Sequence, residues 1–398
     1  MKAGDIGLAT MLDDDKLVIL LTGGGTGGHI TPILAVAHQL KRLQPNCQTI
    51  YIGERGSKFG ELSEGHADID RSYTLYSGKY RRYFGESWLV RLIDYQTLIK
   101  NIRDVLYVFM GTLQAIWLLR KIKPSVVFLK GGYVGVPVGL AAALWRIPII
   151  THDSDAVPGL ANRLIGRWAT LHATAMPAES YNYPRKNTIQ VGVLVEHTYQ
   201  PVSKELQRDY RTQLKLPTNG QVLLVTGGSS GAESINKALR SIVDELLAVN
   251  TNLTIVHQVG KGKTAQFTGV EHPRLVILEF LKPMYVYMGA ADLVITRASA
   301  NTLAELGVQG KPTIVIPSPV LADGHQLRNA EYLKNREAAI IIQEKDLPAA
   351  LLTTINKLLR DEAKRSELSH KLQHLSPSDA AERLAELILN TSKDKKLQ

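Results

Sequence analysis

The chain has 398 residues, 44% hydrophobic and 21% charged, an ordinary globular composition that at this length favours two domains. Its 47 Lys and Arg against 37 Asp and Glu leave a formal charge of +10, which suits an anionic partner such as a nucleotide or a phospholipid surface. The single cysteine, Cys47, excludes an intrachain disulfide and fits a reducing compartment, and no apolar run reaches the roughly 20 residues of a spanning helix. The expectation is a soluble, cytoplasmic protein able to touch a membrane.

Residues 1–15 lack an apolar signal-peptide core and read as a loose extension. Strand patterns then occur at 17–21, 49–53, 125–129, 147–151 and 187–192, separated by longer helical stretches. After a polar stretch, HTYQPVSKELQ, strands resume at 221–227, 253–258, 275–280, 292–297, 312–317 and 338–343. Strands alternating with helices imply parallel sheets covered on both faces. Two such series predict an α/β chain of two doubly wound domains, 16–197 and 198–373. The last segment, 374–398, contains the amphipathic pattern DAAERLAELILN and a polar tail. Each half opens alike, VILLTGGGTGG in the first and VLLVTGGSSGA in the second. These Gly-rich turns fall at the carboxyl ends of the strands, so the ligand is expected in a cleft between the domains.

The first turn, LTGGGTGGHITP (21–32), has Gly23, Gly25 and Gly28 in G-x-G-x-x-G spacing, with Glu54 closing the next strand. That is a dinucleotide fingerprint. Its physical content is narrower: glycines let a ligand approach the backbone, and the following helix N-terminus attracts an anion. Pro32 suits the first helical turn. A phosphate-bearing ligand is expected, and a nicotinamide dinucleotide is one option. His29 lies at the turn's exit, where the helix N-terminus keeps the imidazole neutral and its pKa near the working pH suits a general base.

Residues 76–92 mix Lys79, Arg81, Arg82 and Arg91 with Tyr80, Tyr83, Phe84 and Trp88, a composition that suits an anionic membrane surface. No nucleic-acid module is recognisable. KGGYVGVPVGLAAAL (130–144) repeats the glycine turn with Gly131 and Gly132. THDSDAVPGLANRL (151–164) brings His152, Asp153, Asp155 and Asn162 to the same cleft, with Asp153 and Ser154 reading as helix caps before Pro158. In TRASANTLAELGVQGKPTIVIP (296–317) a helix follows a polar turn and carries Glu305 early. A carboxylate there can accept both hydroxyls of a ribose diol while the helix N-terminus faces a diphosphate. Asp323, His325, Gln326 and Asn329 follow the next strand, placed to bond sugar hydroxyls. With no Cys/His cluster, no metal site is expected.

Taken together, GGGTGGHITPILAVA, KGGYVGVPVGLAA, THDSDAVPGLANRL, TGGSSGAESIN, HQVGKG, TRASANTLAELGVQGKPTIVIPSP and DGHQLRNAEYL resemble, in order and spacing, the MurG family of N-acetylglucosaminyltransferases, glycosyltransferase family 28. The resemblance covers roughly residues 16 to 390. It implies a GT-B fold with an interdomain cleft and a C-terminal helix crossing back to the first domain. It also implies inverting transfer, without a cofactor, from UDP-N-acetylglucosamine to the muramyl 4-hydroxyl of lipid I, giving lipid II. The enzyme would sit peripherally on the cytoplasmic face of the bacterial membrane. Carried over by motif, Thr26, Gly27 and Gly28 contact the donor, and His29 is the catalytic base. Asp155 meets the N-acetylglucosamine, Ser229 lies close to the diphosphate and Leu281 reads uracil through its backbone. Ala300, Asn301, Thr302, Leu303, Ala304 and Glu305 form the ribose and phosphate segment, with Glu305 on the ribose, and Gln326 binds the sugar.

One departure stands out: Glu196 occupies the place of an arginine that contacts the donor in relatives, so either another cation such as Arg163 substitutes or donor binding is altered. The residues alone leave open a nicotinamide-dependent oxidoreductase, suggested by Glu54. A GT-B transferase with another lipid acceptor would look nearly the same, and Glu196 is the only support for a membrane-associated scaffold without turnover.

Overall fold

Two parallel sheets account for nearly all the predicted strands. The computed structural model describes residues 17–24, 27–56, 65–79, 95–228, 230–320 and 324–394. Thr26, Ser229, Asp323, most of the basic and aromatic segment 76–92 and the extension 1–15 lie outside them.

The first half runs β1 (Val18–Thr22), α1 (Gly27–Leu43), β2 (Gln48–Glu54), β3 (Arg71–Leu75), α2 (Tyr95–Ile122), β4 (Val126–Leu129), α3 (Gly135–Leu144), β5 (Ile149–Asp153), α4 (Leu160–Ile165), β6 (Leu171–Thr174) and β7 (Thr188–Gln190). Its sheet has the order β3-β2-β1-β4-β5-β6-β7 with every described pairing parallel. The second half runs α5 (Lys204–Gln213), β8 (Gln221–Thr226), α6 (Glu233–Val249), β9 (Leu253–Gln258), β10 (Leu275–Leu278), α7 (Met284–Ala290), β11 (Leu293–Thr296), α8 (Ala300–Val308), β12 (Thr313–Val315), α9 (His325–Lys334) and β13 (Ile340–Ile341). Its sheet has the order β10-β9-β8-β11-β12-β13. In each sheet the first strand is central and the order reverses beside it, between β1 and β4 and between β8 and β11. That reversal opens the crevice at which open α/β sheets bind ligands.

Two strands go unpredicted from the sequence. β3 is an edge strand whose residues, RSYTL, are mostly half-exposed, and β6 is a four-residue strand with a histidine in it. Helix α2 departs further from expectation. Within the stretch Ile99–Ile122 an 18-residue window of mean hydropathy 1.4 is 28% buried, so by length and composition the helix is long and apolar enough to cross a membrane. Charged residues such as Arg103, Asp104, Arg120 and Lys121 break any continuous apolar run in it. One side of α2, through Ala115, Leu118, Leu119 and Ile122, joins the domain core. The other exposes Ile99, Ile102, Val105, Leu106, Phe109, Met110, Leu113 and Trp117 at helical spacing.

The chain closes with α10 (Ala349–Arg360), α11 (Glu362–His374) and α12 (Ala380–Asp394). Helix α12 packs on α1, and its Leu384, Ile388 and Leu389 are buried in the same core as Ile33 and Val36. Burying three such side chains stabilises by roughly 5–9 kcal/mol in area terms. The polypeptide thus passes between the two halves twice, once after β7 and once before α12. The two passages touch. Gly192 has φ +101°, and a Cβ there would lie 2.6 Å from Pro377 Cγ.

Candidate active site

The cleft is built on two glycine turns that pack on each other. β1 ends at Thr22, and the carbonyl of Gly23 accepts a hydrogen bond from the Tyr51 hydroxyl at 2.7 Å. β4 leads into Lys130, Gly131 and Gly132. Gly132 has φ +79°, and a Cβ on it would come within 2.3 Å of the Gly24 carbonyl oxygen. Part of the glycine requirement is therefore contact between the turns, in addition to access for a ligand. Glu54, the acidic member of the dinucleotide fingerprint, accepts a 2.6 Å hydrogen bond from the Tyr133 hydroxyl, so its carboxylate is engaged within the domain.

Helix α1 starts at Gly27, so Pro32 is its sixth residue and not part of the first turn. A proline has no N–H for the carbonyl four residues back. That carbonyl belongs to Gly28, and it accepts instead from Asn301 Nδ2, across the cleft, at 2.7 Å. Asn301 sits at the start of α8, whose N-cap Ser299 makes no side-chain capping bond. The first N–H groups of α8 are thus open to an anion beside the glycine turn.

A cavity of about 190 Å³ lies between the halves. Of the expected site residues it gathers Gly28, His29, Asp155, Ala300, Asn301 and Gln326. His152, Asp153 and Asn162 also line it, as does Lys130, which sequence reasoning passed over. Gly27 precedes it as the first residue of α1. Thr302, Leu303, Ala304, Glu305 and Leu281 are not on its surface. Leu281 is buried in the core of the second half, and Leu303 and Ala304 are buried where the halves meet, against residues such as Met176. Gln326 is held by donation from the Ser318 N–H to its Oε1 at 2.9 Å.

The charges in the cavity are coupled. Lys130 is 4% exposed, and its Nζ donates to Ser154 Oγ at 3.0 Å. Burial pulls its pKa down to about 8, against the attraction of Asp153 and Asp155. The pKa of His29 is lowered to about 4 by burial and then by the charge of Lys130, with Asp155 opposing. The imidazole is therefore neutral at pH 7, as expected, but through burial and a lysine. Its pKa lies well below the working pH that the sequence suggested. An anionic ligand in the cleft raises it.

Asp153 accepts from Gly159 N–H at 3.0 Å and Asn162 Nδ2 at 2.9 Å on one oxygen, and from the Tyr183 hydroxyl at 2.8 Å on the other. It ties the loop to the start of α4, close to the expected capping role, whereas Ser154 serves Lys130. Asn162 Oδ1 and His152 Nδ1 are buried without a hydrogen-bond partner in the protein. Both residues line the cavity, where a ligand would supply one.

Two expectations change, those for Asn329 and Arg163. Asn329 does not face a sugar: it is 1% exposed and bridges the halves. Its Nδ2 donates to Asp155 Oδ1 at 2.8 Å, and its Oδ1 accepts from the Ala156 N–H at 2.9 Å. Arg163 does not replace the absent arginine, because it lines a separate groove and the cleft cation is Lys130. Glu305 lies off the cavity, hydrogen-bonded by the Tyr199 hydroxyl and facing Glu196. Burial, then the charge of Glu196, lifts its pKa to about 8 against that hydrogen bond. Glu196 is itself raised by burial, with His66 opposing.

Comparison with known proteins agrees with this geometry. Residues 19–174 match the glycosyltransferase family 28 N-terminal domain and residues 222–384 its C-terminal domain. The chain is 34% identical over 372 residues to the UDP-N-acetylglucosamine–N-acetylmuramyl-(pentapeptide) pyrophosphoryl-undecaprenol N-acetylglucosamine transferase of Clostridium kluyveri, covering 93% of this chain and 98% of that one. It is 32% identical to the protein of the same name from Salinibacter ruber, covering 93% and 96%. The crystal structure of Acinetobacter baumannii MurG superposes with a TM-score of 0.71 at 25% identity, covering 94% and 99%. A kitacinnamycin glycosyltransferase structure shares the fold at a TM-score of 0.68 and 16% identity. The chain belongs to the MurG family of N-acetylglucosamine transferases, with the GT-B arrangement of two Rossmann-like parallel-sheet domains.

Proposed function

We propose that the chain transfers N-acetylglucosamine from UDP-N-acetylglucosamine to the muramyl 4-hydroxyl of a lipid-linked muramyl-pentapeptide, inverting the anomeric carbon and making lipid II. The observation that carries this reading is the juxtaposition across one cleft of His29 at the glycine turn and the uncapped start of α8. His29 takes the proton of the acceptor hydroxyl as its oxygen bonds to the anomeric carbon. The bond from that carbon to the diphosphate oxygen breaks, and UDP leaves with the electron pair. The N–H groups at the start of α8 stabilise the charge that develops on the diphosphate, and Lys130 adds a cation to the same cavity. Asp155 and Gln326 bind the transferred sugar, while Glu305 and the Leu281 backbone, which lie beyond the cavity lining, take the ribose and the uracil of a donor that extends past it.

The acceptor lipid places the reaction at a membrane, and the apolar side of α2 supports peripheral docking there. Trp117 lies against Lys121 and Trp145 against Arg120, pairs of aromatic and cation that suit the headgroup layer of an anionic leaflet. Because the opposite side of α2 is committed to the domain core, the helix lies along the membrane surface and does not span it.

The test is a transfer assay with purified donor and lipid acceptor. His29→Ala is expected to bind UDP normally, melt as the parent does, and lose turnover by about 10²–10⁴-fold. Undiminished turnover removes His29 as the base. Calorimetric binding of NAD but not of UDP would overturn the donor assignment itself.

A further inference from the structure

Next to the cleft lies a second cavity, of about 430 Å³, that the transfer chemistry leaves unused. Val157 lines both spaces, so they adjoin at the loop between β5 and α4. Two arginines line this groove, Arg163 on α4 and Arg167 just after it, whose guanidinium also lies 5.2 Å from the Trp168 ring centre, together with Asn182 and Asn187. Among the described residues no Asp or Glu lines it. Its wall toward the cleft is firmly built: the Tyr183 ring stacks on His172 at 3.9 Å, and the Tyr183 hydroxyl bonds Asp153. The helix and turn that carry the two arginines also expose Leu160, Leu164 and Trp168. Helix α4 packs on α3, which packs on α2, so the groove belongs to the same group of helices as the apolar face assigned above to the lipid.

An acceptor anchored in that lipid and offering a sugar hydroxyl to His29 must also house its peptide arm. A peptide joined to the sugar through its amino end finishes in a carboxylate, the group a guanidinium binds bidentately. Five extended residues reach at most about 17 Å, a span suited to a groove that starts at the cleft wall. We infer that the Arg163–Arg167 groove binds the acceptor's peptide arm, its terminal carboxylate on the two arginines and its backbone amides on Asn182 and Asn187. This assignment rests on the transfer reading above.

The experiment compares two synthetic acceptors, a muramyl-pentapeptide diphospholipid and the same molecule without the peptide. The parent is expected to prefer the peptide-bearing acceptor in kcat/KM by at least about tenfold. In the Arg163→Ala/Arg167→Ala double variant that preference collapses toward one, while Arg163→Lys/Arg167→Lys keeps part of it. Equal loss on both acceptors would assign the arginines to the diphosphate and overturn the inference. A preference that survives the double variant, or is absent from the parent, overturns it as well. Should the parent bind UDP-N-acetylglucosamine yet glycosylate neither acceptor, the transfer reading has failed, and the peptide assignment with it. A soluble pentapeptide supplies a readout free of turnover: it should bind the parent as its carboxylate and not as its C-terminal amide.

Discussion

At the scale of single residues, Lys130 has the widest effect on the site. Burial is the first cause that keeps the His29 base unprotonated, and the charge of the Lys130 ammonium, which further disfavours the imidazolium, is the second. Replacing Lys130 with methionine removes that repulsion, and the His29 pKa rises. The acid limb of the kcat/KM profile, below which His29 is protonated and inactive, is therefore expected at higher pH in Lys130→Met than in the parent. The parent should also lose activity above about pH 8, where Lys130 gives up its proton, and the variant should lack that limb. A pH–rate profile from pH 4 to 10 decides it, and identical limbs would show that Lys130 does not act on the base. His29 could be found from sequence because it is attached to a glycine turn with strong local constraints. Lys130 is invisible there: its neighbours Ser154 and Asp155 reach it only once β4 pairs with β5. Asn329 misled for a related reason, since a polar residue after a strand looks alike whether it meets a sugar or the other domain.

Among the elements, the pairing of the β7–α5 connection with α8 has a measurable cost. Glu196 and Glu305 are half-buried carboxyls in the same space, and both are harder to ionise than in water. A carboxyl whose folded pKa exceeds its unfolded one binds more protons in the folded state, so stability falls as pH rises between the two values. For Glu305 that window runs from the ordinary 4.5 to about 8. Chemical denaturation should find the parent less stable at pH 8 than at pH 5, and Glu196→Gln should flatten that slope by removing the like charge. An unchanged slope would dissociate the two carboxyls. The strands of the second sheet were legible to within two residues because they are aliphatic runs, buried in β8, β9, β11 and β12 and half-buried in β10 and β13. β3 escaped notice because an edge strand keeps half its side chains in water. The exposed face of α2 escaped it because periodicity reports that a helix has an apolar side and not which way that side points.

At the level of the whole molecule, the exposed stripe of α2 should govern membrane attachment separately from chemistry. Phe109→Gln/Trp117→Gln is expected to weaken sedimentation with vesicles containing anionic phospholipid by about tenfold or more, while turnover of a water-soluble acceptor analogue is retained. Full vesicle binding by that variant would move the contact to another surface. A last consequence concerns the two chain passages between the halves, which meet where Gly192 lies against Pro377. Two bodies joined by one flexible strand can swivel about three axes. A second tether beside the first removes most of that freedom and leaves chiefly one rotation, about a line through the paired strands. Sites on opposite lips of the cleft then approach along a single fixed arc. The Asn301 bond to Gly28 and the Asn329 bond to Asp155 both span the cleft, so a rotation that opened it would have to break both. With the chain crossing twice at one place, re-forming those two bonds would return the lips of the cleft to a single register.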